Sequence, residues 1–221
     1  MSRHVFPIFV TVVFCMFAAH AQAGELVLAE NGKSAYRIVL AEDASPSTRH
    51  GAEELQVFLE QMTGANLPII LDQQPQGPKE IVLGDGPRLK SLGADIDVKS
   101  LGHEGYVIRT VGQHVVIVGG ALRGNMYGVY GFLEDHLGCR WFAPGVSRIP
   151  KTTRLAVGPI DDRQMPALEY REPYVHDCFD ADWCARNRMN SSIARLDERH
   201  GGKIAFATHF LGSSGILVGD W

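Results

Sequence analysis

The stretch Gly105–Gly138, GYVIRTVGQHVVIVGGALRGNMYGVYGFLEDHLG, decides the fold. Its first half contains two apolar runs, Gly105–Thr110 and His114–Val118, on either side of a turn around Gly112, and this pattern predicts a β-hairpin. Its second half, from about Arg123 to His136, repeats apolar side chains at helical spacing and predicts an α-helix. A hairpin that leads directly into an amphipathic helix indicates a mixed α/β domain.

Three glycines interrupt the helical half of this stretch. Gly124, Gly128 and Gly131 each cost about 1 kcal/mol of helix propensity relative to alanine. Because a side chain is absent at these positions, the helix can approach a neighbouring element closely. The glycines therefore predict that this helix lies tightly against the sheet.

The preceding residues supply the other elements. Ala35–Leu40 has the pattern of a strand, and Ser45-Pro46 to Gly64 has the start signal, apolar periodicity and final glycine of a helix. Leu67–Leu71 and Glu80–Leu83 are short apolar runs that predict buried strands. The expected architecture is a two-layer α/β sandwich, with a mixed sheet of four or five strands and two helices on one face.

The composition excludes several classes of protein. Of the 221 residues, 45% are hydrophobic and 21% are charged, which is typical of a globular chain and not of a disordered one. A net charge of −4 argues against a basic nucleic-acid-binding surface. We therefore expect no nucleic-acid partner; the oligomeric state is left open.

Residues 1–23 have the pattern of a signal peptide. Arg3 and His4 precede an apolar stretch from Val5 to Ala19, and Ala21-Gln22-Ala23 supplies the small residues of a cleavage site. A membrane anchor needs about 20 apolar residues, and this run is shorter. The pattern predicts export to the periplasm or the extracellular space, with no membrane association beyond the export signal.

Three cysteines remain after this segment: Cys139, Cys178 and Cys184. An odd number allows at most one internal disulfide. A disulfide between Cys178 and Cys184 would close a small loop, and the sequence leaves open whether this disulfide forms.

Two motifs resemble cofactor or metal sites but fail in detail. Gly119–Gly124 has the spacing GGxxxG, not GxGxxG, and follows a hairpin strand, so a tight turn is favoured over dinucleotide binding. The segment HDCFDADWC, His176–Cys184, lacks the paired spacing of zinc ligands. Asp180 or Asp182 is instead expected to cap the next helix. We predict no cofactor, no metal ion and no catalytic residue in this chain.

A second unit is expected after residue 160. Leu168–Tyr174 is predicted to be its first strand, and Asp182–Asn190 its first helix. A strand without a neighbour exposes backbone donors. The residues after about 160 are therefore expected to be more mobile than the first unit.

The stretch RGNMYGVYGFLEDHLGCRWFAPGVSRIPK, Arg123–Lys151, resembles the last helix and exit of an accessory domain. That domain precedes the barrel in alpha-glucuronidases of glycoside hydrolase family 67, and a related domain is the second domain of beta-hexosaminidases. The likeness covers about Leu26–Pro159. It implies a domain at 24–160, followed at 161–221 by the incomplete start of an uncharacterised glycoside-hydrolase-like barrel. A complete barrel needs roughly 200 to 250 residues, so the chain looks truncated.

The resemblance implies a non-catalytic accessory domain of a secreted protein in carbohydrate metabolism. Its full-length form would hydrolyse O-glycosyl bonds, in the manner of an alpha-glucuronidase, and bind a carbohydrate substrate. This chain alone is expected to be inactive, because the catalytic carboxylates would come from later barrel strands. Residues near the start of the barrel are candidates for substrate contact, although a role in a salt bridge or helix cap is commoner for such side chains. The candidates are Arg171, Glu172, Asp177, Arg188, Asn190 and His209.

The alternative is a stand-alone secreted module that binds a carbohydrate or a protein. Trp141, Tyr174 and Trp183 could stack on sugar rings if they were exposed. Burial in a core is the commoner fate of such aromatic side chains.

Overall fold

The computed structural model describes residues 24–173, 175–190 and 195–204. The predicted signal peptide, Tyr174 and His209 lie outside the described residues. The strands are β1 (Leu26–Glu30), β2 (Arg37–Leu40), β3 (Ile69–Leu71), β4 (Glu80–Leu83), β5 (Tyr106–Val111), β6 (His114–Gly119), β7 (Arg140–Ala143), β8 (Val146–Arg148), β9 (Arg154–Val157) and β10 (Asp161–Gln164). The α-helices are α1 (Pro46–Thr63), α2 (Pro87–Ser91), α3 (Gly124–Gly131) and α4 (Ala181–Arg186).

The centre of the fold is a mixed sheet of six strands in the order β10-β5-β6-β4-β2-β3. Strands β6, β4, β2 and β3 are parallel, whereas β5 pairs antiparallel with β6 as the predicted hairpin. The sheet has more strands than the four or five expected, because β10 pairs antiparallel with β5 and extends the edge. The sequence DDRQ of β10 carries no apolar residue that could have signalled a strand.

Both faces of the sheet are buried, which explains the continuous apolar runs of its strands. On one face, side chains such as Ile81 and Ile117 pack under α1 and α3, as the two-layer prediction requires. On the other face, Val82 and Val116 pack against Leu89 of α2 and Leu101. Short helical segments therefore cover the second face.

Helix α1 begins and ends where the sequence indicates. The side chain of Ser45 accepts a hydrogen bond from the backbone N–H of Thr48 at 3.2 Å, and Pro46 occupies the first turn. Gly64 has a φ of 76°, a left-handed conformation that glycine adopts without strain.

Helix α3 approaches the sheet closely, as its glycines predict. A Cβ at Gly128 would lie 2.8 Å from the Cγ2 atom of Ile117. The helix continues as a π-helical turn, Phe132–His136, up to the region of Gly138, whose φ is 80°. The absence of side chains thus sets the distance between helix and sheet.

Two small antiparallel ribbons flank the sheet and are missed by the sequence analysis. Strand β1 pairs with β9, and β7 pairs with β8. Two-stranded pairs of three to five residues are too short to show a clear alternation. The β1–β9 ribbon brings the start of the first unit next to its end.

The predicted first barrel strand is wrong for the residues that can be described. Residues 168–173 form no strand, because the backbone N–H of Arg171 donates to the side chain of Asn190 at 2.9 Å and not to a neighbouring strand. Helix α4 is present but ends at Arg186. Asp180 caps it, accepting a hydrogen bond from the N–H of Trp183 at 2.7 Å, as expected.

The cysteines and tryptophans of this region are buried. Cys139, Cys178 and Cys184 are all free thiols, and the Cys184 thiol donates to the carbonyl of Cys178 at 3.2 Å. Trp141 and Trp183 belong to the core, which is the commoner fate of aromatic side chains, so neither is an exposed platform for stacking on sugars. None of the helices in the described part of the chain has the length and apolarity needed to cross a bilayer.

Candidate functional site at the junction

A buried carboxylate lies where the sheet meets the C-terminal segment. Glu104 lies two residues before the start of β5 and is only 7% exposed. Its carboxylate contacts Arg123, Arg171 and Asn190, and we call these four residues the junction. A buried carboxylate is stable only when its charge is paired and its lone pairs are satisfied. The junction meets this requirement.

Arg123 brings the first positive charge to Glu104. It directly precedes α3, is 2% exposed, and its Nε donates to Oε1 of Glu104 at 2.6 Å. Its Nη1 donates to the carbonyl of Gly201 at 2.7 Å and to that of Gly202 at 3.0 Å. Arg123 therefore connects the sheet domain to the end of the described C-terminal segment.

Arg171 and Asn190 approach the same carboxylate from the other side. The Nη2 of Arg171 donates to Oε2 of Glu104, and its Nε donates to the carbonyl of Arg188 at 2.7 Å. The side-chain amide of Asn190 donates to Oε1 of Glu104 at 2.9 Å, and this residue is fully buried. The C-terminal segment is thus attached to the domain through charged hydrogen bonds, which are stronger than neutral ones.

A cavity of about 260 Å³ opens beside the junction. Its lining includes Glu104, Tyr106, Tyr127, Asp135, Arg171 and Arg188. A second cavity, of about 610 Å³, shares Glu104 with the first and is lined on its far side by Leu101 and Ile204. Small-molecule sites usually measure roughly 300 to 1,000 Å³, so the first cavity is small and the second is of ordinary size.

Arg188 has an unusual conformation in the first cavity. Its φ of 58° is left-handed, which is uncommon for a residue other than glycine. Its Nη2 lies 2.5 Å from Oε2 of Glu134, whereas its Nη1 is buried and has no hydrogen-bond partner among the described residues. A donor without a partner beside a cavity can bind an oxygen ligand, and backbone strain often accompanies such positions.

Two tyrosines complete the cavity wall. Burial raises the pKa of Tyr106 to about 12, and burial also raises the pKa of Tyr127 well above its usual value. The hydroxyl of Tyr127 donates to the carbonyl of Met189 at 2.8 Å, and its ring lies 5.7 Å from the guanidinium carbon of Arg171. Both phenols remain neutral near pH 7 and can act as hydrogen-bond donors but not as bases.

The structure brings together three of the six residues predicted to contact substrate. Arg171, Arg188 and Asn190 lie at or beside the junction, where each also has a partner within the protein. Glu172 accepts a hydrogen bond from the hydroxyl of Tyr170, and Asp177 lies half-buried in the 3-10 turn His176–Phe179. A role in substrate contact stays a prediction for all six, including His209.

The central residue, Glu104, is missed by the sequence analysis. It lies in a short loop, His103-Glu104-Gly105, more than sixty residues before its partners in the C-terminal segment. Its surroundings have no periodic pattern that could mark it. The only local feature that could mark Glu104 as a site residue is its position just before the predicted hairpin, and this feature is weak.

The sheet, its helices and the junction define a class: an α/β domain with a mixed sheet, to which a polar C-terminal segment is docked. Comparison with protein families then identifies the first part. Residues 25–132 match the family Glycosyl hydrolase family 67 N-terminus, so this part of the chain is similar to the N-terminal domain of that family. No curated protein matches the sequence.

Solved structures similar to the chain come from glycoside hydrolases. One is the family GH115 4-O-methyl-alpha-glucuronidase BtGH115A, with a TM-score of 0.48, 18% identity, and coverage of 66% of this chain and 19% of that chain. Another is a beta-hexosaminidase of Streptomyces plicatus, with a TM-score of 0.46, 17% identity, and coverage of 76% and 30%. The chain spans less than a third of the length of either structure.

Proposed function

We propose that this chain is the non-catalytic accessory part of a secreted glycoside-hydrolase-like protein that acts on carbohydrate. In this proposal residues 1–23 direct export, and a barrel elsewhere in the full-length protein supplies the catalytic carboxylates. The match of residues 25–132 to a glycosyl hydrolase N-terminal family carries the proposal. The activity of the full protein would be hydrolysis of O-glycosyl bonds, in the manner of an alpha-glucuronidase.

The buried carboxylates of the described residues support a structural role. Glu80 and Glu104 are the two that are buried, and arginines hold both of them. Burial by itself would raise the pKa of Glu80, but hydrogen bonds from Arg88, the N–H of Gly77 and Arg37 lower it below the usual value. A glycosidase acid requires the opposite shift, a raised pKa. Glu80 is therefore suited to stabilising the fold, and the contacts of Glu104 with Arg123 and Arg171 suit it to the same role.

Activity measurements test the non-catalytic role. Purified protein 24–221 would be incubated with aryl glucuronides, aryl N-acetylhexosaminides and glucuronoxylan, with a preparation from cells lacking the gene as control. We expect no product above that control. Turnover that co-elutes with the folded protein would contradict the proposal. The export part of the proposal has a separate test: N-terminal sequencing of the exported form should find Gly24 as the first residue.

One observation favours the second candidate, a stand-alone carbohydrate- or protein-binding module. The buried Nη1 of Arg188 faces no described partner, and it lies beside a cavity. Against this candidate, Trp141 and Trp183 are buried and cannot stack on sugars. Calorimetric titration with xylan and chitin fragments separates the two, because the accessory role predicts no heat above dilution.

A further inference from the structure

We propose that His50, Asp182 and His200 form a binding site for a divalent transition-metal ion, with Zn²⁺ as the best fit. One ligand atom from each of the three residues lies within 4.8 Å of the other two. His50 belongs to α1, Asp182 to α4 and His200 to the 3-10 turn Glu198–His200. Only the fold brings them together, since 132 positions separate His50 from Asp182 in the sequence.

Two imidazoles and one carboxylate are a donor set that suits zinc. Zinc sites often have three protein ligands of this kind, with a fourth position left for water. Magnesium and calcium prefer sites made of oxygen ligands alone. The chemistry of the cluster therefore favours a transition metal over the alkaline-earth ions.

His200 is oriented as metal-binding histidines are. It is fully buried, its Nδ1 lies 2.8 Å from Oδ1 of Asp197, and its Nε2 lies 2.9 Å from Oδ1 of Asp182. Without metal, the backbone N–H of Asp197 donates to Nδ1 at 3.3 Å, and Nε2 donates to Oδ1 of Asp182. An ion bound at Nε2 would move the ring proton to Nδ1, where the Asp197 carboxylate can accept it, as in carboxylate–histidine–metal arrangements.

His50 supplies an independent observation. Its side chain is more than nine-tenths buried, and its Nε2 has no hydrogen-bond partner in the described part of the chain. A buried nitrogen without a partner is costly. The ring of His50 packs edge-on against that of His200, with centroids 5.3 Å apart, so an ion shared by the two rings would give the buried ring of His50 a polar partner.

The distances require a small local adjustment. Ligand atoms around a tetrahedral zinc ion, at about 2.0–2.1 Å from the metal, lie about 3.3 Å from one another. The 2.9 Å between His200 and Asp182 must lengthen by about 0.4 Å, and the remaining separations must shorten by no more than about 1.5 Å. Asp182 is 38% exposed and gives the ion a path from solvent.

The positive charge of Arg199 disfavours metal binding at this site. Its Nη2 lies 3.0 Å from Oδ1 of Asp182, and it must release that oxygen when metal binds. The side chain of Arg199 is 52% exposed, so it can turn into solvent. Arg186, the other cation nearby, is held by the carboxylate of Glu54 at 2.7 Å. A metal at this position would fasten the C-terminal segment to α1.

Zinc titration of the tag-free protein 24–221, after treatment with a chelator, tests the site. We expect one equivalent of Zn²⁺ to bind and to raise the melting temperature, while Mg²⁺ does neither. Asp197→Asn should weaken binding about 10- to 100-fold, as loss of an outer partner does, and Asp182→Asn should weaken it more. Asp177→Asn, a matched change in the same segment, should leave the affinity unchanged, and Arg199→Gln should tighten binding.

X-ray absorption of the zinc-loaded wild type adds a test that needs no variant. We expect nitrogen and oxygen ligands with imidazole scattering. Sulfur ligands would place the metal on the cysteines and overturn the proposal. The proposal also fails if the wild type takes up no zinc, or if a folded Asp182→Asn protein binds zinc as Asp177→Asn does. Should Asp182→Asn not fold, His50→Gln replaces it under the same criterion.

Discussion

The sheet and the junction are both buried, but different forces stabilise them. In the sheet, apolar side chains of β4 and β6 are covered on both faces, and the free energy comes from removing hydrocarbon from water. In the junction, ion pairs and hydrogen bonds connect one carboxylate with two guanidinium groups and an amide. Truncating one apolar side chain leaves a cavity, whereas removing one member of the charged cluster leaves a buried charge without a partner.

The largest effect is expected from a substitution that breaks the junction. Glu104→Gln leaves the guanidinium of Arg123 buried without a countercharge, because that residue is only 2% exposed. We expect the free energy of unfolding to fall by about 3–5 kcal/mol. Urea denaturation measures this, and the exposed Glu53→Gln serves as control with a change below about 0.5 kcal/mol. A fall no larger than the control's would show that the junction carries little stability.

The next prediction tests the contact between helix and sheet. Gly128→Ala should improve helix propensity by about 1 kcal/mol, but its new Cβ would lie 2.8 Å from Ile117. Overpacking costs about 1–3 kcal/mol, so we expect a net loss of stability. Thermal unfolding measures the sign, and Gly158→Ala, where a Cβ meets open space, should be close to neutral. A stabilised Gly128→Ala protein would contradict the close approach.

A smaller effect concerns the start of α1. Ser45→Ala removes the side chain that accepts from the N–H of Thr48. We expect a loss of about 1 kcal/mol in urea denaturation, the usual cost of losing an N-cap. Ser45→Asp should retain most of the stability, because its carboxylate can accept the same hydrogen bond. Equal losses in both variants would argue against the cap.

The smallest effect depends on pH. Burial lowers the pKa of His114, with Glu80 opposing and Arg88 adding to the shift. The unfolded chain therefore binds a proton first as the pH falls through about 6.5, and folding stability decreases from there downward. His114→Gln should flatten this decrease between about pH 7.5 and 5.5, as measured by unfolding at several pH values. The exposed His103→Gln should keep the wild-type slope, and a wild-type slope in His114→Gln would refute the assignment.

The contrast between sheet and junction also explains what the sequence could predict. Helix α1, β2, β4 and the β5–β6 hairpin were predicted correctly, because burial of one or both faces imposes a period on the sequence. Strand β10 was missed since its polar residues are held by pairing with β5 and not by burial of side chains. Residues 168–173 were wrongly expected to form a strand, because local alternation cannot show that a side chain, Asn190, takes the backbone donor.

The candidate site was predicted only in part for a similar reason. Arg171, Arg188 and Asn190 were chosen because they lie in one segment, and the fold gathers them. Glu104, to which two of them bind, comes from a distant loop, and polar pairing between distant segments has no sequence period. The same holds for His50 and His200, which only the tertiary structure brings together.

Hydrogen exchange tests most directly whether the junction docks the C-terminal segment onto the sheet domain. In the wild type we expect the amides of residues 165–173 and 175–190 to exchange slowly, in contrast to the mobility expected from the sequence. In Glu104→Gln these amides should lose protection, whereas those of β4, β6 and α1 keep theirs. Rapid exchange of these amides in the wild type, or an unchanged pattern in Glu104→Gln, would contradict this docking.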